Sequence, residues 1–350
     1  MEIGVSVVMP VRDGGSFLGA AVDSVLAQDF SAFELVAVDD HSTDATPAIL
    51  AAAAARDARV RVLRPEGRGL VAALGCAVAE ARGRYIARLD ADDLAAPNRL
   101  RRQVAALEAR PRLGLLGSWA ETIDAADAPI GQLTPETDPQ RLAALLRRTN
   151  PFIHSSVIMP TALVRRLGGY RAAFEAAEDY DLWLRIAEVA EVANLPEPLI
   201  RYRWHDSNVT LRKEVRQCFS VRLAQQAAAA RRAGSPDPAN ELSDPPDWAD
   251  PACDGAFFAA TARLYRLLAL ADPAAPRPAT LPADLSPLLA SPEPLSHRER
   301  KLAQRAIAAL LGRTDRPRGA TALRLLWAAL RLHPARAATL AWRYAAGGAA

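Results

Sequence analysis

Tyr85-Ile-Ala-Arg-Leu-Asp-Ala-Asp-Asp93 is a short apolar run that ends abruptly in three carboxylates. Apolar on alternate and adjacent positions, it reads as a strand buried on both faces of a parallel sheet, with acids where the strand stops. Working back, residues 70–81 repeat at helical spacing and stop near Gly83, and 60–63 form a strand. Asp44-Ala-Thr-Pro47 opens a helix through residue 55, and the strand at 34–38 ends in Asp39-Asp40. A helix over 17–26 takes Ser16 as N-cap, and the strand at 5–9 is closed by Pro10 and followed by Arg12-Asp13. Repeated strand-helix units with short connections predict an α/β fold with a doubly wound, mostly parallel sheet. Its ligand crevice lies beyond the carboxyl ends of the strands.

Working forward, the spacing predicts a helix over 99–109, a strand over 113–119, a helix over 139–148 and strands at 157–159 and 197–202, the last two flanking a helix that begins around Ala177. From Val215 the character changes to Ala-rich helical segments separated by Pro-rich stretches at 235–251 and 272–294. The expected division is an α/β domain over residues 1–212 and an α-helical C-terminal region over 213–350. Residues 320–344 read as an amphipathic helical pair with Pro334 at the bend.

Half of the 350 residues are apolar, 24% are charged and the formal net charge is +3, with arginines dispersed among acids. That is no electrostatic footprint for nucleic acid. No run approaches the roughly 18 apolar residues of a membrane span. Cys76, Cys218 and Cys253 have neither disulfide-framework nor zinc-ligand spacing. Met1 leads straight into a strand, so a cytoplasmic protein is expected.

Converging carboxylates repel one another unless a cation joins them. Hard oxygen ligands at Asp90 to Asp93, completed by a substrate diphosphate, suit Mn²⁺ or Mg²⁺, and the plain alternative is a solvated acidic loop. Asp40, at the end of another strand, has the chemistry to accept a nucleobase imide N–H. Its alternative, shared with Asp39, Ser42 and Asp44, is local turn bonding. Glu178 and Asp179 open a helical stripe of Leu182, Trp183 and Ile186, either as a proton acceptor or as acids favoured by the helix dipole.

Four segments in order, Ser6-Val-Val-Met-Pro10, Leu35-Val-Ala-Val-Asp-Asp-His-Ser-Thr-Asp44, Ala81 through Asp93, and Glu178-Asp-Tyr-Asp-Leu-Trp-Leu-Arg185, resemble the successive motifs of family 2 glycosyltransferases of the GT-A fold, a Rossmann-like nucleotide-binding architecture. The resemblance covers roughly residues 5–210. It implies that Pro10, Arg12, Asp39 and Asp40 line the base and ribose pocket, and that Asp90 and Asp92 handle ribose and metal, with Asp92 the direct ligand. Asp179 is the implied base of an inverting displacement, with Glu178 second and Asp181 third. Arg201-Tyr-Arg-Trp-His205 resembles the segment after the base helix, where Arg203 reaches the diphosphate and His205 the metal or phosphate; a strand with a polar solvent face is the alternative. Arg68, in Gly67-Arg-Gly69, has a weaker claim on the donor. The partners so implied are a nucleotide-sugar donor, UDP-sugar first, and a carbohydrate or lipid-linked acceptor. No Gln-x-x-Arg-Trp motif accompanies these segments, so single additions are expected. A nucleotidyltransferase would carry a Gly-rich basic loop after the first strand, which Asp13-Gly-Gly15 barely echoes. A binding-only relative would have lost carboxylates that are present here. The C-terminal arginines, leucines and tryptophans suit an anionic membrane surface, or packing onto the catalytic domain or a second subunit as a homo-oligomer.

Overall fold

The structure is a computed structural model and describes residues 3–204, 211–250, 253, 256–271, 287, 295–311 and 319–332. His205 and the bend expected at Pro334 lie outside the described residues. The chain forms two compact units, residues 1–208 and 209–350.

The first unit opens with β1 (Val5–Val11), α1 (Leu18–Leu26), β2 (Phe33–Asp39), α2 (Thr46–Arg56), β3 (Val60–Leu63), α3 (Leu70–Glu80) and β4 (Tyr85–Arg88). These strands lie side by side in the order β3-β2-β1-β4, all parallel. Every residue of β1, β2 and β4 is buried, as continuous apolar strands covered on both faces must be. The chain steps outward from β1 to β3 and then returns to the opposite side of β1. The crevice of a doubly wound sheet opens at such a reversal, so the residues following β1 and β4 flank it. The turn into β4 is fixed by contact: Gly83 donates its N–H to Ser6 Oγ at 2.8 Å, and a Cβ there would lie 2.4 Å from the Ser6 nitrogen.

The sheet continues through β5 (Leu94–Ala95), β6 (Leu113–Ile123), β7 (Pro129–Leu133), β8 (Ile158–Pro160) and β9 (Glu191–Arg203), with α4 (Arg99–Ala109), α5 (Pro139–Leu146), α6 (Thr161–Arg166) and α7 (Glu178–Ala187) between them. Its order beyond β4 is β8-β6-β9-β5, with β7 paired to β6. β8 is antiparallel to β4 and β6, whereas β6 and β9 are parallel. The result is mixed α/β with a curled, mostly parallel sheet.

Three local expectations are corrected. Ser16 does not cap α1; Phe17 stands at the cap without a side-chain bond, and the Phe17 and Leu18 amides donate to Gly14 O at 3.0 Å each. β6 extends to Ile123 and folds back into β7, which sequence pattern missed because every residue of β7 is exposed and no alternation marks it. β9 begins at Glu191 rather than 197. Pro196 and Pro198 read as a boundary, yet the β6 register is irregular opposite them and β5 pairs only with Ile200 and Arg201. A proline without a ladder partner is tolerated.

The second unit contains α8 (Leu211–Arg232), α9 (Ala259–Leu268), α10 (His297–Leu311) and α11 (Gly319–Leu332). Ser296 and Glu299 form a capping box at the start of α10: the Glu299 N–H donates to Ser296 Oγ at 3.2 Å and the Ser296 N–H to Glu299 Oε2 at 2.8 Å. The same carboxylate accepts the Tyr265 hydroxyl at 2.6 Å and pairs with Arg222 from α8. Burial alone would raise the Glu299 carboxyl, but the Arg222 bonds outweigh it and hold the group below its ordinary value. Removing one partner strands a buried charge, so Arg222→Met is expected to lower unfolding stability by about 3 kcal/mol in a denaturant titration; a loss under about 1 kcal/mol would contradict this account.

Candidate active site

Loops at the carboxyl ends of β1 and β2 are stapled together. Asp13, at φ 50°, accepts the Thr43 N–H at 2.8 Å and donates its own N–H to Ser42 Oγ at 2.9 Å. Gly14 and Gly15 donate to Thr46 Oγ1 and Asp44 Oδ2 at 2.9 and 2.8 Å. Asp39 Oδ1 accepts the Ser42 N–H at 2.9 Å, and both Asp40 oxygens share the Gly69 N–H at 2.9 Å. Gly69, at φ 94°, precedes α3, so Asp40 anchors the Gly67-Arg68-Gly69 loop. Arg12 and Arg68 are exposed, and Pro10 is buried opposite Val38. The crest therefore gathers Pro10, Arg12, Asp39, Asp40 and Arg68. Turn chemistry occupies part of the two carboxylates, and each oxygen retains a second acceptor position.

Beyond β4, Asp90, Asp92 and Asp93 present ligand oxygens that all lie within 4.8 Å of one another. Asp90 accepts the Ser155 hydroxyl at 2.9 Å and pairs with Arg88. Asp93 Oδ1 accepts the Arg203 N–H at 2.8 Å, while its Oδ2 is buried without a hydrogen-bond partner. Burial, then repulsion from Asp90 and Asp92, pushes the Asp93 carboxyl well up. Clustered hard oxygens, one of them orphaned, fit a divalent cation, whose charge would relieve that repulsion.

Arg203 is placed as a brace. It is 2% exposed, and its Nε donates to the Asp92 carbonyl at 2.8 Å. Its Nη1 donates to the Asp124 carbonyl at 2.9 Å, and its Nη2 pairs with Asp127 at 2.6 Å. Its guanidinium lies 4.5 Å from the centre of the Phe17 ring. In this arrangement its bonds shape the acidic loop.

Glu178 and Asp179 open α7 after the cap residue Ala177, which follows Ala176 in the left-handed region at φ 66°. Asp179 accepts the Asn150 side-chain N–H at 2.7 Å and the Tyr180 N–H at 2.6 Å. Glu178 is 4% exposed, and its Oε2 has no hydrogen-bond partner. Burial raises both carboxyls, Glu178 further through the charge of Asp179. Asp181 is fully buried between Arg171 and Arg185, which donate to it at 2.9 and 2.7 Å, and is thereby committed to structure. Trp183 is core, in edge contact with Phe152, His154 and Tyr170.

Arg88, beside the acidic loop, was missed at the sequence level. It is 2% exposed, donates to Ser155 Oγ at 2.9 Å, and pairs with Asp90. Its charge also acts on Glu178 and Asp179, lowering both, and on His154, which burial first and Arg88 second hold well below its ordinary value. Asn150 was likewise not singled out. The available signal for Arg88 was an arginine inside a strand otherwise buried on both faces, which must have charged partners.

Residues 6–166 match the model of Glycosyl transferase family 2. EpsE of Bacillus subtilis (strain 168), named as a glycosyltransferase, is 33% identical over 214 residues, covering 60% of this chain and 76% of that protein. The chain belongs to glycosyltransferase family 2, and its fold is GT-A. Other relatives extend further, the chain covering 65% of two of them. S. aureus TarS 1-349 in complex with UDP aligns at TM-score 0.54 with 16% identity, over 98% of this chain and 92% of that one. Mannosyltransferase PcManGT from Pyrobaculum calidifontis, in complex with GDP-Man and Mn²⁺, aligns at 0.51 with 20% identity, over 97% and 84%. Among the described residues no helix is long and apolar enough to cross a membrane.

Proposed function

We propose that this glycosyltransferase moves one sugar at a time from a nucleoside-diphosphate sugar, UDP-linked in first preference, to a hydroxyl of a carbohydrate or lipid-linked acceptor in surface-glycan biosynthesis. The observation that carries the reading is the carboxylate cluster at the β4 terminus, with Asp90 paired to Arg88, together with a second acidic pair at the start of α7. Pro10, Arg12, Asp39, Asp40 and Arg68 hold the base and ribose, and Asp90 and Asp92 hold Mn²⁺ or Mg²⁺. A bound divalent cation supplies charge neutralisation of the diphosphate as it departs. Asp179, steadied by Asn150, takes the proton of the attacking acceptor hydroxyl, and the carbon–oxygen bond forms opposite the leaving diphosphate, inverting the anomeric carbon. Arg203 positions the acidic loop. The basic α11, with exposed Leu323, Trp327 and Leu330, supports peripheral contact with the cytoplasmic face of an anionic membrane.

A thermal-shift panel of UDP, GDP and dTDP with and without Mn²⁺ tests the donor half. One nucleotide is expected to stabilise the protein selectively and only with metal, by about 2.7 kcal/mol at a hundredfold excess over Kd. Release of pyrophosphate from a nucleoside triphosphate and a sugar phosphate would replace this reading with nucleotidyl transfer.

A further inference from the structure

We propose that Trp204 is a stacking platform for a pyranose ring held beside the acidic loop, an assignment that rests on the glycosyltransfer reading above. Trp204 is 63% exposed, the only exposed aromatic side chain among the described residues of the first unit. A large indole left in water contributes nothing to the core.

The β6 ladder fixes which way it faces. Arg203 pairs with Ile123, and the Trp204 N–H donates to the Ile123 carbonyl at 2.8 Å, so extended pairing persists through residue 204. Side chains alternate along extended backbone, which puts Trp204 on the face of Tyr202 and opposite Arg203. That end of the strand lies beside the acidic loop: Arg201 pairs with Leu94, the residue after the loop, and the Arg203 N–H donates to Asp93 at 2.8 Å. The next residue on that face, further toward solvent, is Trp204. The Arg203 N–H to Asp93 bond ties this strand end to the loop, and the buried Arg203 guanidinium fills the opposite face.

A flat apolar indole beside carboxylates matches the two-sided chemistry of a sugar. The ring's C–H face stacks on the indole, and its hydroxyl edge turns to polar groups and water. Either the donor's sugar or the terminal sugar of the acceptor offers that face.

The test uses the full chain with Trp204→Ala and Trp204→Phe. UDP, UDP-glucose and UDP-N-acetylglucosamine are titrated calorimetrically with Mn²⁺, and p-nitrophenyl glucosides, galactosides and N-acetylglucosaminides are followed by saturation-transfer NMR. Melting temperature and UDP affinity are expected to be unchanged in both variants. Ala is expected to weaken sugar binding roughly tenfold, with Phe restoring most of it. Weakening of the UDP-sugars but not UDP assigns the platform to the donor ring, and weakening of the glycosides alone assigns it to the acceptor ring. UDP-sugar affinity and glycoside signal both within about twofold of wild type in the Ala variant overturn the proposal, as does a wild type silent toward the glycosides with unchanged UDP-sugar affinity in Ala. A wild type that binds no nucleoside diphosphate removes the glycosyltransfer reading itself, and the platform with it.

Discussion

Asp179→Asn is expected to reduce transfer by roughly 10²–10⁴-fold, the range for loss of a general base, with nucleoside-diphosphate affinity within about twofold of wild type. The substitution keeps the side chain's shape and one of its two acceptor oxygens, so either the Asn150 or the Tyr180 bond survives. It removes the ability to take a proton. The pH profile gives a second readout. A base works only when ionised, and burial holds the Asp179 carboxyl above its ordinary value. Transfer by the wild type is therefore expected to fall, as pH drops, at a higher pH than the usual carboxylate value of about 3.9. That acid limb should vanish from the residual activity of the variant. Retained transfer with an unchanged limb would assign the base elsewhere, Glu178 being next in line.

Asp92→Ala is expected to abolish the Mn²⁺-dependent part of nucleoside-diphosphate binding and to lower transfer about 10²-fold or more. The loop keeps two ties in the variant, because Arg203 holds it through the Asp92 carbonyl and the Asp93 carboxylate. Calorimetry with and without Mn²⁺ separates the cases. An unchanged metal dependence would leave Asp90 and Asp93 to hold the cation.

The first four strands and the acidic clusters at their ends were legible in the sequence because their signals are local. A buried parallel strand must be apolar throughout, and its end is marked by the first polar residues, so β1 to β4 and the clusters at Asp39-Asp40 and Asp90 to Asp93 could be placed from pattern alone. What was not legible depended on partners distant in sequence. The partner of Ser155, Asp90, lies 65 residues away, and Asn150 lies 29 from Asp179 and carries no local signature. Arg203 resembled a phosphate ligand by position, yet its side chain is spent on Asp92, Asp124 and Asp127. The exposed β7 had no periodicity to read.

Within the sheet the antiparallel β8 is the strand through which β1 to β4 meet the later strands, and Ser155, just before it, is the hydroxyl that reaches Asp90. Away from this ladder, Gln28 after α1 bonds the Ala96 carbonyl and the Leu100 N–H, and Arg99 reaches the Arg88 carbonyl. A shift of β8 is therefore passed at once to β4, to β6 and, through Ser155, to the Asp90 carboxylate.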